Sequence, residues 1–141
     1  MGVFLSMLEN YIAKLKELRQ EVASEDIIMA SFSQMEKDII PKDHGSIHKA
    51  VYKLRETSKY KSFLEDFIFD TSGITPYSKL LEKVINRLET FSVFGTLNPS
   101  YDMYKVDKDY LLNAFEKFDS TKKDLISGMG RELELDLLSG Y

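Results

Sequence analysis

The 141-residue chain has no cysteine and no tryptophan. Without cysteine there is no disulfide framework, no thiolate zinc or iron–sulfur site and no cysteine nucleophile. Only three prolines and seven glycines occur, which excludes a collagen-like or Pro/Gly-rich disordered chain. Apolar runs are a few residues long, far short of the ~20 that a membrane-spanning helix needs. The start, Met1-Gly2-Val3-Phe4-Leu5-Ser6, lacks a basic lead-in, and Glu9 interrupts it early, so no signal peptide and a cytoplasmic location are expected. Gly2 with Ser6 also fits the short myristoylation pattern, against which stands an ordinary helix start. No H-E-x-x-H, G-x-S-x-G, P-loop or G-x-G-x-x-G is present. With two histidines and no recognisable nucleophile–base set, the expectation is a non-enzymatic protein without cofactor or metal.

What is present is a charged, amphipathic, mostly helical pattern. The aromatic fraction of 12% is too high for a disordered acidic tail, and the length suits one domain, 1–141. Phe4, Leu8, Tyr11, Leu15, Leu18 and Val22 recur at spacings of 4, 3, 4, 3 and 4. That is a heptad seam, so residues 1–22 are expected to form a long helix; Leu5 and Ile12 widen its stripe. Its two readings are packing on its own domain and a homodimer contact.

Ser24, with Glu25 and Asp26 behind it, predicts the cap of a second helix that Pro41 ends. A third helix is expected over Ile47, Val51 and Leu54. Phe63 to Asp70 reads as a helix decaying into an extended piece. Thr75-Pro76 predicts the start of a helix with Leu81, Val84, Ile85 and Leu88 on its buried side and Gly95 closing it. Val93 to Leu97, the turn signal Asn98-Pro99-Ser100, and Tyr101 to Val106 predict a β-hairpin. Asp107 is the expected cap of a last helix running on to Leu125 and Ile126, broken near Gly128 and Gly130. The divisions are thus 1–22, a core over 24–118, and a C-terminal helix and tail over 119–141.

Two constellations were candidates for chemistry. His44 and His48 stand four apart, with Asp43 in front, the spacing of a shared metal on one helix face. Gly45 between them suggests a helix boundary instead, and polar residues at a helix start are the simpler reading. The second is charge. Residues 42–62 hold six bases (Lys42, Lys49, Lys53, Arg55, Lys59, Lys61) against Asp43 and Glu56, in a chain of net charge -4. A basic island of this kind can contact phosphates or simply be a solvated helix surface.

Pro76-Tyr77-Ser78, then Leu81, Val84, Leu88-Glu89 and Val93, then a polar turn and Tyr104-Lys105-Val106-Asp107, resemble the second half of a winged-helix domain of PadR-like regulators. Ile47 to Leu54, leading through Phe67 and Phe69 to Pro76-Tyr77-Ser78, is similar to Panacea-type antitoxin domains, with Thr75 where those have glycine. The resemblance covers about residues 45–112. It implies a mostly α fold with a small β-hairpin, a winged-helix-like domain with helical extensions at both ends. It also implies binding of double-stranded DNA by the 76–92 helix and the 98–105 hairpin. Lys79, Lys83, Asn86 and Arg87 would meet base edges and phosphates, and Lys105 a phosphate, with Lys49 and Lys53 adding charge. Glu82, Glu89 and Asp102 would be repelled. The other class of function is a protein-interaction module, antitoxin-like or adaptor, that uses no nucleic acid.

Overall fold

A computed structural model describes residues 2–97 and 102–139. Within them lie five α-helices and a three-stranded antiparallel sheet. No described helix is long and apolar enough to cross a membrane.

Helix α1 runs unbroken over Gly2–Ser33. No proline or further glycine interrupts that stretch, and a local capping signal at Ser24 does not stop a helix that both sides continue. Ser24 is therefore a buried mid-helix residue rather than a cap, its hydroxyl 3.5 Å from an Asp66 carboxylate oxygen. The helix ends well before Pro41. Glu134 accepts the backbone N–H groups of Glu36 and Lys37, at 3.1 and 2.6 Å, and fixes the turn there. Pro41 instead closes strand β1, Ile39–Pro41. This strand is an edge, where a missing N–H donor is tolerated.

Helix α2, His44–Glu56, is capped by Asp43, which accepts from the Gly45 N–H. Gly45 lies inside the helix, so both histidines share it. The segment after α2 is not a helix decaying into a strand. It makes a single 3₁₀ turn, Lys61–Phe63, and then an irregular loop closed by paired backbone bonds between Asp70 and Tyr77, at 2.8 and 3.0 Å. Those bonds hold Pro76 and Tyr77 extended, so helix α3, Lys79–Thr90, starts one turn later than Thr75-Pro76 suggests, on Ser78. Ser78 accepts from the Leu81 N–H at 3.2 Å. The helix ends before Gly95, at Ser92, whose φ is 60°. Paired bonds from Ser92 N–H to Glu89 and from Val93 N–H to Leu88 make a Schellman end, with serine in the position that favours glycine.

Strands β2, Phe94–Thr96, and β3, Met103–Val106, form the expected hairpin, with Phe94 opposite Val106 and Thr96 opposite Tyr104. Its turn, Asn98-Pro99-Ser100 with Tyr101, lies outside the described residues. Strand β1 pairs with the other edge of β3, giving the order β1-β3-β2. Asp107 caps helix α4, Lys108–Phe115, as expected. The chain then breaks and restarts on Asp119, which caps helix α5, Ser120–Leu138.

Gly128 and Gly130 do not interrupt α5. A Cβ on Gly130 would come within 2.5 Å of the Ser31 carbonyl oxygen, and one on Gly128 within 2.6 Å of the Tyr60 hydroxyl. Both glycines are where neighbours approach the helix backbone, and packing outweighs their helix cost of about 1 kcal/mol each. One core unites the molecule. Phe32 of α1 meets Phe94 of β2 edge-on at 5.3 Å, and Phe94 lies 5.4 Å from Tyr104 of β3. The C-terminal third of α1 packs on α4 and α5, whereas residues 2–20 are exposed, with Glu17 and Gln20 bordering a hollow against Glu65, Ile68 and Leu80.

Candidate functional site

The amphipathic pattern of α3 buries Leu81, Val84, Ile85 and Leu88. At 100° per residue this leaves Lys79, Lys83, Asn86 and Thr90 on one outward face, all four exposed. The two borders of that face differ in chemistry.

On the α1 side, Lys83 Nζ lies 3.0 and 3.1 Å from the two carboxylate oxygens of Glu21. One turn on, the Arg87 guanidinium donates to the carboxylate of Glu25, which is almost buried. Arg87 is thus a strut between α3 and α1. A guanidinium engaged this way does not extend freely to a base edge, and sequence spacing alone does not reveal the engagement.

On the α2 side is a hydrogen-bonded chain. His48 is buried, and its Nδ1 accepts from the Ser78 N–H at 3.0 Å. Its Nε2 therefore carries the proton and donates to Glu82 at 2.7 Å. The other Glu82 oxygen meets His44 Nδ1 at 2.5 Å. His44 Nε2 lies 2.8 Å from the Tyr104 oxygen, and the Tyr104 hydroxyl donates to Glu89. The His44 ring is thus held between the Glu82 carboxylate and the Tyr104 hydroxyl. Burial alone would raise the Glu82 carboxyl; the bonds from His48 and His44 outweigh it and hold the group below its ordinary 4.5. Burial, then the bond to Glu89, pushes the Tyr104 hydroxyl above its ordinary 10.0. Tyr77 stacks on the His48 ring at 4.8 Å and closes the top of the network.

The histidine pair therefore does structural work. All four ring nitrogens are occupied by protein partners, and among the described residues no group of three or more His, Asp or Glu is arranged to hold a metal. The sequence reading found the i, i+4 pair but missed Glu82 and Glu89 as its partners. Their seven-residue spacing along one edge of α3 was the available signal.

The remaining candidates are placed as follows. Lys49 and Lys53 are exposed on α2, about 100° to 180° around the helix from His44 and His48. They turn away from α3, and Lys53 Nζ is 3.9 Å from Asp136 of α5. Lys49 and Lys53 of the basic island thus do not share a face with the lysines of α3. Lys105, exposed on β3, pairs with Asp38, whose carboxyl the bond holds below the usual carboxylate range. Lys42 crosses the sheet, donating to the Thr96 hydroxyl at 2.9 Å. Comparison with protein-family models, curated proteins and solved structures finds no match for this chain.

Proposed function

We propose that this is a non-enzymatic DNA-binding regulatory protein of winged-helix type, acting in the cytoplasm. In this reading α3 enters the major groove and the β2–β3 hairpin lies along the adjacent backbone. The observation that carries it is the outward face of α3, where Lys79, Lys83 and Asn86 stand exposed together while Glu82 and Glu89 are drawn to the opposite border by His44, His48 and Tyr104. These two acids are thereby turned aside and engaged, whereas Glu21 stays beside Lys83. The order helix–strand–helix–helix–strand–strand, with strands arranged β1-β3-β2, supports the winged-helix assignment. Asn86 can pair with an adenine edge and Lys79 can meet a phosphate, while Lys83 and Lys105 would exchange their pairs with Glu21 and Asp38 for phosphates. Arg87, Lys49 and Lys53 are outside this surface.

The experiment is fluorescence anisotropy on a pool of random-sequence duplexes. Three phosphate contacts should weaken binding about 40-fold between 50 and 200 mM salt. Lys79→Ala with Asn86→Ala should abolish retention and leave the melting temperature unchanged. Arg87→Ala should do the reverse, lowering stability by about 1–2 kcal/mol through loss of its pair with Glu25. No retention at the lower salt, or retention indifferent to salt, overturns the reading.

The second reading, a protein-interaction module, is favoured by one observation. Ile68, Ile74 and Tyr77 are exposed around the start of α3, beside a depression that Phe69 and Leu80 help to line. A salt-indifferent complex lost on Ile68→Ser would select it.

A further inference from the structure

The projecting half of α1 is the largest unpartnered surface of the molecule. Phe4, Leu8, Tyr11, Leu15, Leu18 and Val22 are all more than a third exposed, and so are Leu5, Met7 and Ile12 beside them. Covered by another helix, the six seam residues would remove roughly 600 Å² per copy from water, at the low end of the roughly 600–1,000 Å² per partner that stable interfaces bury.

The residues along the seam, more than their spacing, distinguish how a second copy would lie on it. The intervals 4, 3, 4, 3, 4 read the same in both directions. A second copy laid antiparallel therefore meets the first in complete register: Phe4 on Val22, Leu8 on Leu18, and Tyr11 on Leu15, each pair occurring twice about a two-fold axis level with Ala13. The aromatic residues Phe4 and Tyr11 then face the smaller Val22 and Leu15, and Leu8 faces Leu18, which suits close packing. On one flank Ile12 meets its own symmetry mate, which accounts for the widening of the stripe beyond the seam. On the other flank Lys14 meets Lys14, with Glu17 one turn away on each copy to offset the charge.

A parallel pair gains Met7 against Ile12 on its flanks but is worse in the seam. It stacks Phe4 on Phe4 and Tyr11 on Tyr11, and it sets Lys14 against Arg19 on both flanks. It also brings both bodies to the same end of the coil. The antiparallel pair separates the two roots by about 33 Å at 1.5 Å per residue.

We propose that the projecting half of α1 is the interface of an antiparallel, two-fold symmetric homodimer centred level with Ala13. The proposal is independent of whether the body binds DNA. It leaves residues 24–139 as a self-contained fold on each copy.

A chain without cysteine makes the orientation directly readable. Leu8→Cys and Leu18→Cys proteins are prepared separately, then mixed under mild oxidation. The antiparallel pair joins Leu8→Cys to Leu18→Cys and gives a mixed crosslink, while neither variant crosslinks with itself, because like positions lie about 15 Å apart along the coil. Sedimentation equilibrium of the unmodified chain should give twice the monomer mass. Tyr11→Glu should give a monomer with an unchanged melting curve at high dilution, which shows that the body still folds. Self-crosslinking of Leu8→Cys, a tetramer, or a monomer at all concentrations overturns the proposal. A monomer that binds anionic vesicles would assign the arm to a membrane surface instead.

Discussion

The two halves of α1 belong to one continuous helix and meet opposite fates. Residues 3–22 carry large hydrophobes and are almost all exposed; residues 24–33, where Ile27, Ile28, Met29 and Phe32 stand beside Ala30, Ser31 and Ser33, are buried or half-buried. Both halves carry large hydrophobes, so hydrophobicity alone does not decide which half enters the core; the root also carries small residues that admit a close neighbour. Ala30, Ser31 and Ser33 keep the surface of α1 low, and Gly130 keeps α5 low opposite it, so the two backbones come nearly into contact. The serine hydroxyls cost little there, because Ser31 donates to the Ile27 carbonyl at 2.8 Å and Ser33 to the Ala30 carbonyl at 2.6 Å. A side-chain stripe suits a partner helix that can supply matching knobs, whereas a small-residue surface suits the body of the same chain.

This contrast is broken most severely at the close approach. Gly130→Ala should lower unfolding stability by about 1–3 kcal/mol in urea melts despite a better helix propensity, because its Cβ collides with backbone rather than with a movable side chain. Leu8→Ala, which removes far more apolar volume, should change the stability of the isolated monomer by less than about 0.5 kcal/mol. Its effect should appear only in association.

The next effect sharpens the account of the body. Glu82 has a folded pKa below its unfolded one, so it contributes stability that is complete above the ordinary value of 4.5 and lost as pH falls through the folded value. Glu82→Gln should therefore cost about 1–2 kcal/mol near neutrality and flatten the acid limb of the stability curve below about pH 5. An acid limb as steep as that of the parent would remove the network from the account. The smallest effect is at the end of α3. Ser92→Gly should raise stability by about 0.5–1 kcal/mol, since glycine adopts the left-handed conformation without the Cβ penalty.

Features set by neighbouring residues were legible in the sequence. The heptad stripe, the apolar face of α3, the Asp107 cap and the pairing of Phe94 to Thr96 with Tyr104 to Val106 all follow from local pattern. Features set by distant residues were not. Ser24 looks like a cap until Asp66 and the surrounding packing are brought against it. Thr75-Pro76 looks like a helix start until Asp70 holds Tyr77 extended. Gly128 and Gly130 look like breakers until Tyr60 and Ser31 arrive, and Ile39 to Pro41 is too short to show period-two alternation before β3 pairs with it. The same limit applied to the candidate site. Lysine and arginine positions could be read from spacing, but the pairing of Arg87 with Glu25, and of Glu82 with two histidines, depends on helices far apart in the chain.

The claim that one helix serves as core at its root and as interface along its arm is tested most directly by amide hydrogen exchange along α1 at several protein concentrations. Protection over residues 3–22 should fall steeply on dilution, while protection over 24–33 stays constant and equal to that of the core. Protection of both halves that is equal at every concentration would contradict the account, as would an arm unprotected even in concentrated solution.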